Sequence, residues 1–298
     1  LTADILLLIT AAIWGFAFVA QRVGMNHMGP FTFNALRFSL GALALVPLLI
    51  WQRRRNVDRP ALPPGQLILP ATLTGLALFA GASLQQVGLV GTTAGKAGFI
   101  TGLYVILVPL LALAWGRRTR PGNWLGAVLA VAGLYLLSVR EGFTISPYDL
   151  VVLAGAFVWA GHVHLIDRFS DRVGPIRLSV FQFAICGLLS GMAALIFEIP
   201  GLPSAGLPGA GLPDMLSGIW ALLYGAFLSV GLAYTLQVVA QRRADPTHAA
   251  IILSLEGAFA ALGGWLVLGE YLTPRDLAGS ALMLGGMIIS QLLGRRPA

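Results

Sequence analysis

Long apolar stretches separated by short gaps, with arginines gathered in every second gap, leave this chain few structures to adopt. The clusters are Arg53, Arg54, Arg55 and Arg59; Arg117, Arg118 and Arg120; Arg168, Arg172 and Arg177; Arg242 and Arg243; and Arg295 and Arg296. Charged residues are 10% of the 298 and apolar ones 57%. That is too little charge to wet the surface of a soluble domain, but enough for a chain whose outer surface meets lipid. The formal charge of +7 therefore marks cytoplasmic loops rather than a nucleic-acid surface; no nucleic-acid module is visible. The single cysteine, Cys186, excludes an intrachain disulfide and offers no metal cluster. No basic segment with a cleavage site precedes the first apolar run, so that run is expected to be a true span.

A transmembrane helix needs about 20 mostly apolar residues. Breaks at Gly, Pro and Arg divide the chain into ten such segments, at about 4–22, 30–51, 68–89, 92–115, 121–139, 147–166, 175–198, 214–238, 246–268 and 274–293. The gaps near Gly91 and Pro274 are short enough to predict tight antiparallel hairpins. With the N-terminus inside, fourteen Arg fall in cytoplasmic gaps and the tail, and three (Arg22, Arg140, Arg275) in outer gaps. This bias places both termini in the cytoplasm of a cell inner (plasma) membrane.

The two halves match at a fixed offset. A shift of 145 sets Asp4 on Asp149, Leu8 on Leu153, Ala11 on Ala156 and Trp14 on Trp159, then Gly29 on Gly174, Pro30 on Pro175 and Phe38 on Phe183. Later a shift of 153 sets Gly116 on Gly269, Pro121 on Pro274, Gly126 on Gly279 and Gly133 on Gly286. The extra eight residues are expected in the loop Leu202–Pro213. Each half carries an odd number of spans, so the second must enter the membrane from the other side. The expected fold is all-α and integral to the membrane: ten transmembrane helices as two inverted five-helix repeats, 1–143 and 144–298. Inverted repeats of this kind favour secondary transport through a site near the midplane.

The segments Ala11–Gly24 (AAIWGFAFVAQRVG), Asn34–Leu45 (NALRFSLGALAL) and Tyr234–Gly279 resemble EamA-type members of the drug/metabolite transporter superfamily, and the resemblance extends over essentially the whole chain. Where that family usually shows Leu-Glu-Pro, this chain has Leu255-Glu256-Gly257, which loosens the helix without proline's fixed kink. The resemblance implies ten helices, a central cavity and export of small metabolites. The aromatic-rich segments are most similar to those of amino-acid exporters, aromatic amino acids included.

Charges at membrane depth are costly, so they are candidates for function. Glu256 lies midway along the ninth span, and could carry a proton or grip a substrate ammonium. The competing reading is a buried link to Ser/Thr or a backbone amide; the resemblance favours it, because the family carries Glu here across different substrates. Arg37 lies in the second span opposite its repeat mate Gln182; it could bind a carboxylate or pair with Glu256 or carbonyls. Lys96, near the end of the fourth span, is expected to snorkel to the interface. Trp14 and Trp159, mid-span repeat mates, are candidates for opposite walls of one cavity, with Phe79, Tyr104 and Tyr234 as further aromatic lining; packing explains each separately. His162 shares a helix face with Trp159, whereas His164 is expected to meet Asp167. Tyr234, Gln237 and Gln241 form a polar stripe on the eighth span. Gly95, Gly98 and Gly102 offer a smooth face for close helix approach.

These observations describe a secondary transporter that exports a small amphipathic metabolite by alternating access, without a cofactor and without an obligatory protein partner. No phosphate-binding loop of the Gly-x-x-x-x-Gly-Lys-Ser/Thr type is present, so ATP is not the energy source within this chain. The alternatives are a proton-coupled drug efflux pump, a phosphorylated-sugar antiporter (for which only Arg37 is well placed) and, from another class, a membrane receptor or scaffold. An intramembrane enzyme would need a nucleophile–base or metal constellation that the sequence does not supply.

Overall fold

The structure is a computed structural model that describes residues 2–55, 63–117, 119–138, 145–198, 216–269, 271 and 273–293. It is all-α. The ten segments are α1 (Thr2–Gly24), α2 (Pro30–Arg55), α3 (Pro64–Gly91), α4 (Ala94–Ala114), α5 (Pro121–Ser138), α6 (Pro147–Val173), α7 (Pro175–Phe197), α8 (Ile219–Gln241), α9 (Pro246–Leu268) and α10 (Pro274–Leu293). Among the described residues nine are long and apolar enough to cross a membrane; the tenth, α5, has a shorter apolar stretch, Pro121–Leu136. The loop Leu202–Pro213 and Arg59, Arg118, Arg140, Arg295 and Arg296 lie outside the described residues.

Proline sets most of the boundaries. Seven helices open on it (α2, α3, α5, α6, α7, α9 and α10), where its missing N–H costs nothing and its fixed φ suits the first turn. Gly116 after α4 and Gly269 after α9 both have positive φ, 73° and 70°. A residue with a Cβ is strained there, which gives the match between these two glycines a physical reason. The gap between α3 and α4 is only Thr92 and Thr93, and Thr93 caps α4 by accepting from the Lys96 amide.

Burial is inside-out relative to a soluble protein. Leu43, Ile68, Leu69, Leu110, Phe157 and Leu188 are exposed, while Gln21, Asn34, Arg37, Gln85, Gln182 and Glu256 are buried. Lipid accepts the first set, and in a membrane polar side chains turn inward to find partners. The helices approach closely at glycines. A Cβ on Gly126 of α5 would lie 2.6 Å from the Gly286 carbonyl of α10, and one on Gly133 would strike the Gly279 carbonyl. Early α5 thus meets late α10, and the four glycines are two matched pairs. Of Gly95, Gly98 and Gly102 only Gly102 is in tight packing, against Leu134.

Two helices are interrupted at matching depths. α4 divides at Leu103 into Ala94–Gly102 and Tyr104–Ala114; α9 divides at Ser254–Leu255 into Pro246–Leu253 and Glu256–Leu268. Tight three-residue bonds replace the regular ladder: Leu103 N–H to Ile100 O at 3.2 Å, Leu255 N–H to Ile252 O at 3.2 Å and Gly257 N–H to Ser254 O at 3.1 Å. The break in α9 therefore forms without the proline, and Glu256 is the first residue after it. In α8 the stretch Tyr224–Tyr234 is a π-helix, a rare geometry that is frequent at functional sites.

The first turn of α1 and the last turn of α10 meet: Gln291 Nε2 donates to Asp4 Oδ2 at 2.8 Å. The far end of α1 reaches α3, where Arg22 Nη1 donates to the Leu89 carbonyl at 2.8 Å. The start of α6 lies at that same far end, with Tyr148 against Gly91. The starts of α1 and α6 are thus at opposite ends of the bundle, separated by a 23-residue helix, about 34 Å at 1.5 Å per residue.

Candidate functional site

Eight of the nine residues singled out by the sequence line one buried cavity. α1 supplies Trp14, α2 Arg37, α4 Tyr104, α6 Trp159 and His162, α8 Tyr234 and Gln237, and α9 Glu256. Phe79 is not among the lining residues and packs instead into the apolar core. On α3 it is Gly81 that faces the cavity wall, 3.0 Å from the Trp159 ring for an added Cβ; a residue two positions away points to the opposite side of the helix.

The aromatic wall centres on Tyr234. Its ring lies 4.5 Å from that of Trp14 and 6.1 Å from that of Trp159. Each tryptophan is anchored on a different helix: Trp14 Nε1 donates to the Ser229 carbonyl in the π-helical stretch at 3.2 Å, and Trp159 Nε1 donates to Gln85 Oε1 at 3.1 Å. Gln85 in turn donates to Gln21 Oε1 at 3.2 Å. Gln21, Gln85, Thr101 and Ser229 line the cavity and were not singled out from the sequence. The signal for Gln21 was present: Trp14, Phe18 and Gln21 recur at helical spacing on α1.

Among the described residues no acid pairs with Arg37. Its Nε donates to Asn34 Oδ1 at 2.9 Å, and its guanidinium lies 4.8 Å from the Phe38 ring centroid. No ion pair within 4 Å joins it to Glu256. Glu256 is 3% exposed and lies within hydrogen-bonding reach of the Tyr104 hydroxyl, whereas Thr101 Oγ1 and Gln237 Oε1 have no hydrogen-bond partner. Unsatisfied polar atoms this deep are costly, and these two leave hydrogen-bonding capacity on the cavity wall. The cavity volume is about 40 Å³, room for about three or four waters at roughly 10–15 Å³ each.

A second, polar vestibule of about 930 Å³ opens at the Asp4 end, lined by Asp4, Arg117, Arg120, Arg242, Asp245 and His248 among others. The polar stripe on α8 leads to it: Tyr234 and Gln237 face the cavity, whereas Gln241 faces the vestibule and donates to the Val163 carbonyl at 3.2 Å. Val163 itself lines the cavity. Arg117, outside the helices, pairs with Asp167 at 2.7 Å, and this partner holds its guanidinium pKa above the ordinary value.

Two expectations need correction. Lys96 does not snorkel: its Nζ is 2.7 Å from Asp149 Oδ2, because Asp149 at the start of α6 lies within reach across the α3–α4 turn. His164 does not meet Asp167, which is taken by Arg117; its Nε2 lies 2.9 Å from the Val108 carbonyl and its ring sits edge-on to Trp115. Gln182, the mate of Arg37, is buried as expected, 2.9 Å from His162 Nε2.

Apolar helices around a buried polar cavity, with a vestibule at one end, define a multi-pass membrane protein built to handle a small molecule. The chain belongs to the EamA-like transporter family, whose profile matches residues 1–139 and again 146–292, within the drug/metabolite transporter superfamily. It is a membrane transporter. It is 33% identical to an uncharacterized transporter of Archaeoglobus fulgidus, covering 98% of this chain and 86% of that one. It is 30% identical to the threonine/homoserine exporter RhtA of Escherichia coli (97% and 89%) and 27% identical to a probable amino-acid metabolite efflux pump of Salmonella typhimurium (96% and 93%). A solved crystal structure shares the fold with a TM-score of 0.77 at 21% identity, covering 99% of this chain and 98% of that one.

Proposed function

We propose that this transporter exports small zwitterionic metabolites, amino acids foremost and aromatic ones among them, by alternating access through the central aromatic-lined cavity. The observation that carries the reading is the placement of Arg37 and Glu256 in one buried aromatic cavity without an ion pair between them. A substrate carboxylate would take Arg37. Its ammonium would take Glu256 and the ring faces of Trp14, Trp159 and Tyr234, which attract cations. Orphaned hydroxyl and amide groups would satisfy what remains. The names of the RhtA and efflux-pump relatives support the substrate class.

The two units would be 1–143 and 144–298, inverted relative to one another, with both termini in the cytoplasm. Support comes from the double match of the family profile, the matched breaks in α4 and α9 and the contact between the two described chain ends. Discontinuous helices at equivalent places in two halves are a mark of transporters that bind at the midplane. The cavity has room for only a few waters, and parting of the halves would widen it to admit the substrate.

The test is export of radiolabelled threonine and phenylalanine from proteoliposomes without ATP, with the common amino acids as competitors. Absence of flux across that panel by folded protein would reject the reading. The second reading, a drug efflux pump for lipophilic cations, is favoured by the carboxylate of Glu256 inside the aromatic cavity. Arg37→Gln separates the two: it abolishes transport of a zwitterion and leaves or raises transport of a cation.

A further inference from the structure

Asp4, Lys96, Asp149 and His248 occupy the same station: each is the third residue of its helix, in α1, α4, α6 and α9 respectively. They form two pairs. Asp149 Oδ2 is 2.7 Å from Lys96 Nζ, and Asp4 Oδ1 is 2.9 Å from His248 Nε2. The pairs sit at opposite ends of the bundle, because α1 and α6 begin at opposite ends. Each joins an acid from one half to a base from the other. Both bases stand at a helix N-terminus, where the dipole disfavours positive charge, so helix formation gives no reason for them.

From this we propose that the two pairs are the clasps of the two gates, Asp149–Lys96 closing one end of the central cavity and Asp4–His248 the other. The proposal rests on the alternating-access reading. Opening the Asp149 end separates α4 from α6; opening the Asp4 end separates α1 from α9. Both clasps are made in this structure, and the cavity between them is small. The clasps are not equal. The Asp149 carboxylate also accepts from Thr92 Oγ1 at 2.7 Å and from the Ser146 amide at 2.7 Å, and its base is a lysine. His248 is a cation only when protonated, and its Nδ1 is 2.9 Å from Ser290 Oγ. The Asp4 carboxylate likewise accepts a further bond, from Gln291 Nε2 at 2.8 Å, so the asymmetry lies in the bases and in the vestibule that adjoins the Asp4 clasp, and the resting protein is expected to open at that end first.

The experiment uses the full chain with Gln21→Cys as reporter in the cavity and Cys186→Ser as background, in vesicles of both orientations. A membrane-impermeant maleimide reads exposure of the reporter from each face. Lys96→Met is expected to raise labelling from the Asp149 face about tenfold, a bias of about 1.4 kcal/mol, and Lys96→Arg to stay near the parent rate. His248→Ala is expected to raise labelling from the Asp4 face only. Thr92→Val, which leaves the ion pair intact, gives a smaller shift in the same sense as Lys96→Met and serves if that variant does not fold. Rates within twofold of the parent in folded Lys96 and Thr92 variants, or both clasp variants shifting exposure to the same face, would overturn the proposal. Labelling needs no substrate, so the clasps and the substrate reading fail separately: shifted labelling without amino-acid flux upholds the first and rejects the second.

Discussion

The indoles of Trp14 and Trp159 face one shared ring, that of Tyr234, at centroid distances of 4.5 and 6.1 Å. They come from helices whose sequences match, and their N–H groups are held by α8 and α3 respectively. The wall of the site is thus assembled by both halves of the chain, and neither half alone can form it.

Because Gln85 orients the Trp159 indole, Gln85→Leu leaves that N–H without its acceptor. Losing one buried hydrogen bond of this kind costs about 1–3 kcal/mol. The expected outcome is a rise in KM for the exported amino acid of about tenfold, since 1.4 kcal/mol is one decade, with melting temperature changed less than in Trp159→Ala. Proteoliposome flux at varied substrate concentration checks it.

Glu256→Gln keeps the shape of the side chain and removes its charge. If the carboxylate receives the substrate ammonium, flux falls at least about tenfold, as expected for loss of a charge-assisted contact, while the purified protein elutes and melts like the parent. Retention of full flux would assign Glu256 to structure alone.

Gly15 of α1 lies against α9 beside the break. A Cβ there would fall 2.7 Å from the Glu256 carbonyl oxygen and 2.8 Å from the Ala260 amide nitrogen, both backbone atoms that cannot swing aside. Gly15→Val is therefore expected to destabilise the bundle by about 1–3 kcal/mol, the usual cost of overpacking. Thermal unfolding in detergent measures this, with Gly65→Val as the control, since that position meets open space.

Glu198, just past the end of α7, caps the start of α2: it accepts from the Phe31 amide at 2.6 Å, the Thr32 amide at 2.9 Å and the Thr32 hydroxyl at 2.6 Å. Glu198→Ala is expected to lower stability by about 1–2 kcal/mol, as loss of a helix cap does, and to loosen α2 at that end. Hydrogen exchange of the first turn of α2 reports it directly.

The Arg117–Asp167 pair is exposed, with 57% of the arginine side chain accessible, and solvent screening limits its worth to about 0–1 kcal/mol. A raised arginine pKa stabilises the fold at every pH below the unfolded value, and is lost only as pH rises past the folded one. Between pH 6 and 9, a range of about three units centred far below that of arginine, Arg117→Ala is expected to shift melting temperature by the same small amount throughout.

The apolar run lengths, the prolines that open helices and the alternation of arginines were enough to determine all-α membrane architecture from the sequence, because lipid permits a spanning chain almost no other way to satisfy its backbone. The spacing of Trp14 and Trp159 in matched segments was enough to single out both as candidates for one cavity. Tertiary structure alone decided the partners. That Phe79 turns away from the cavity while Gln85 turns into its wall depends on the rotation of α3 about its own axis, which an all-round apolar helix does not encode. That Lys96 meets Asp149, and His248 meets Asp4, depends on which helix ends lie side by side. Partners 53 and 244 residues apart are brought together by the packing of helices, a property of the assembled bundle that no local stretch of sequence carries.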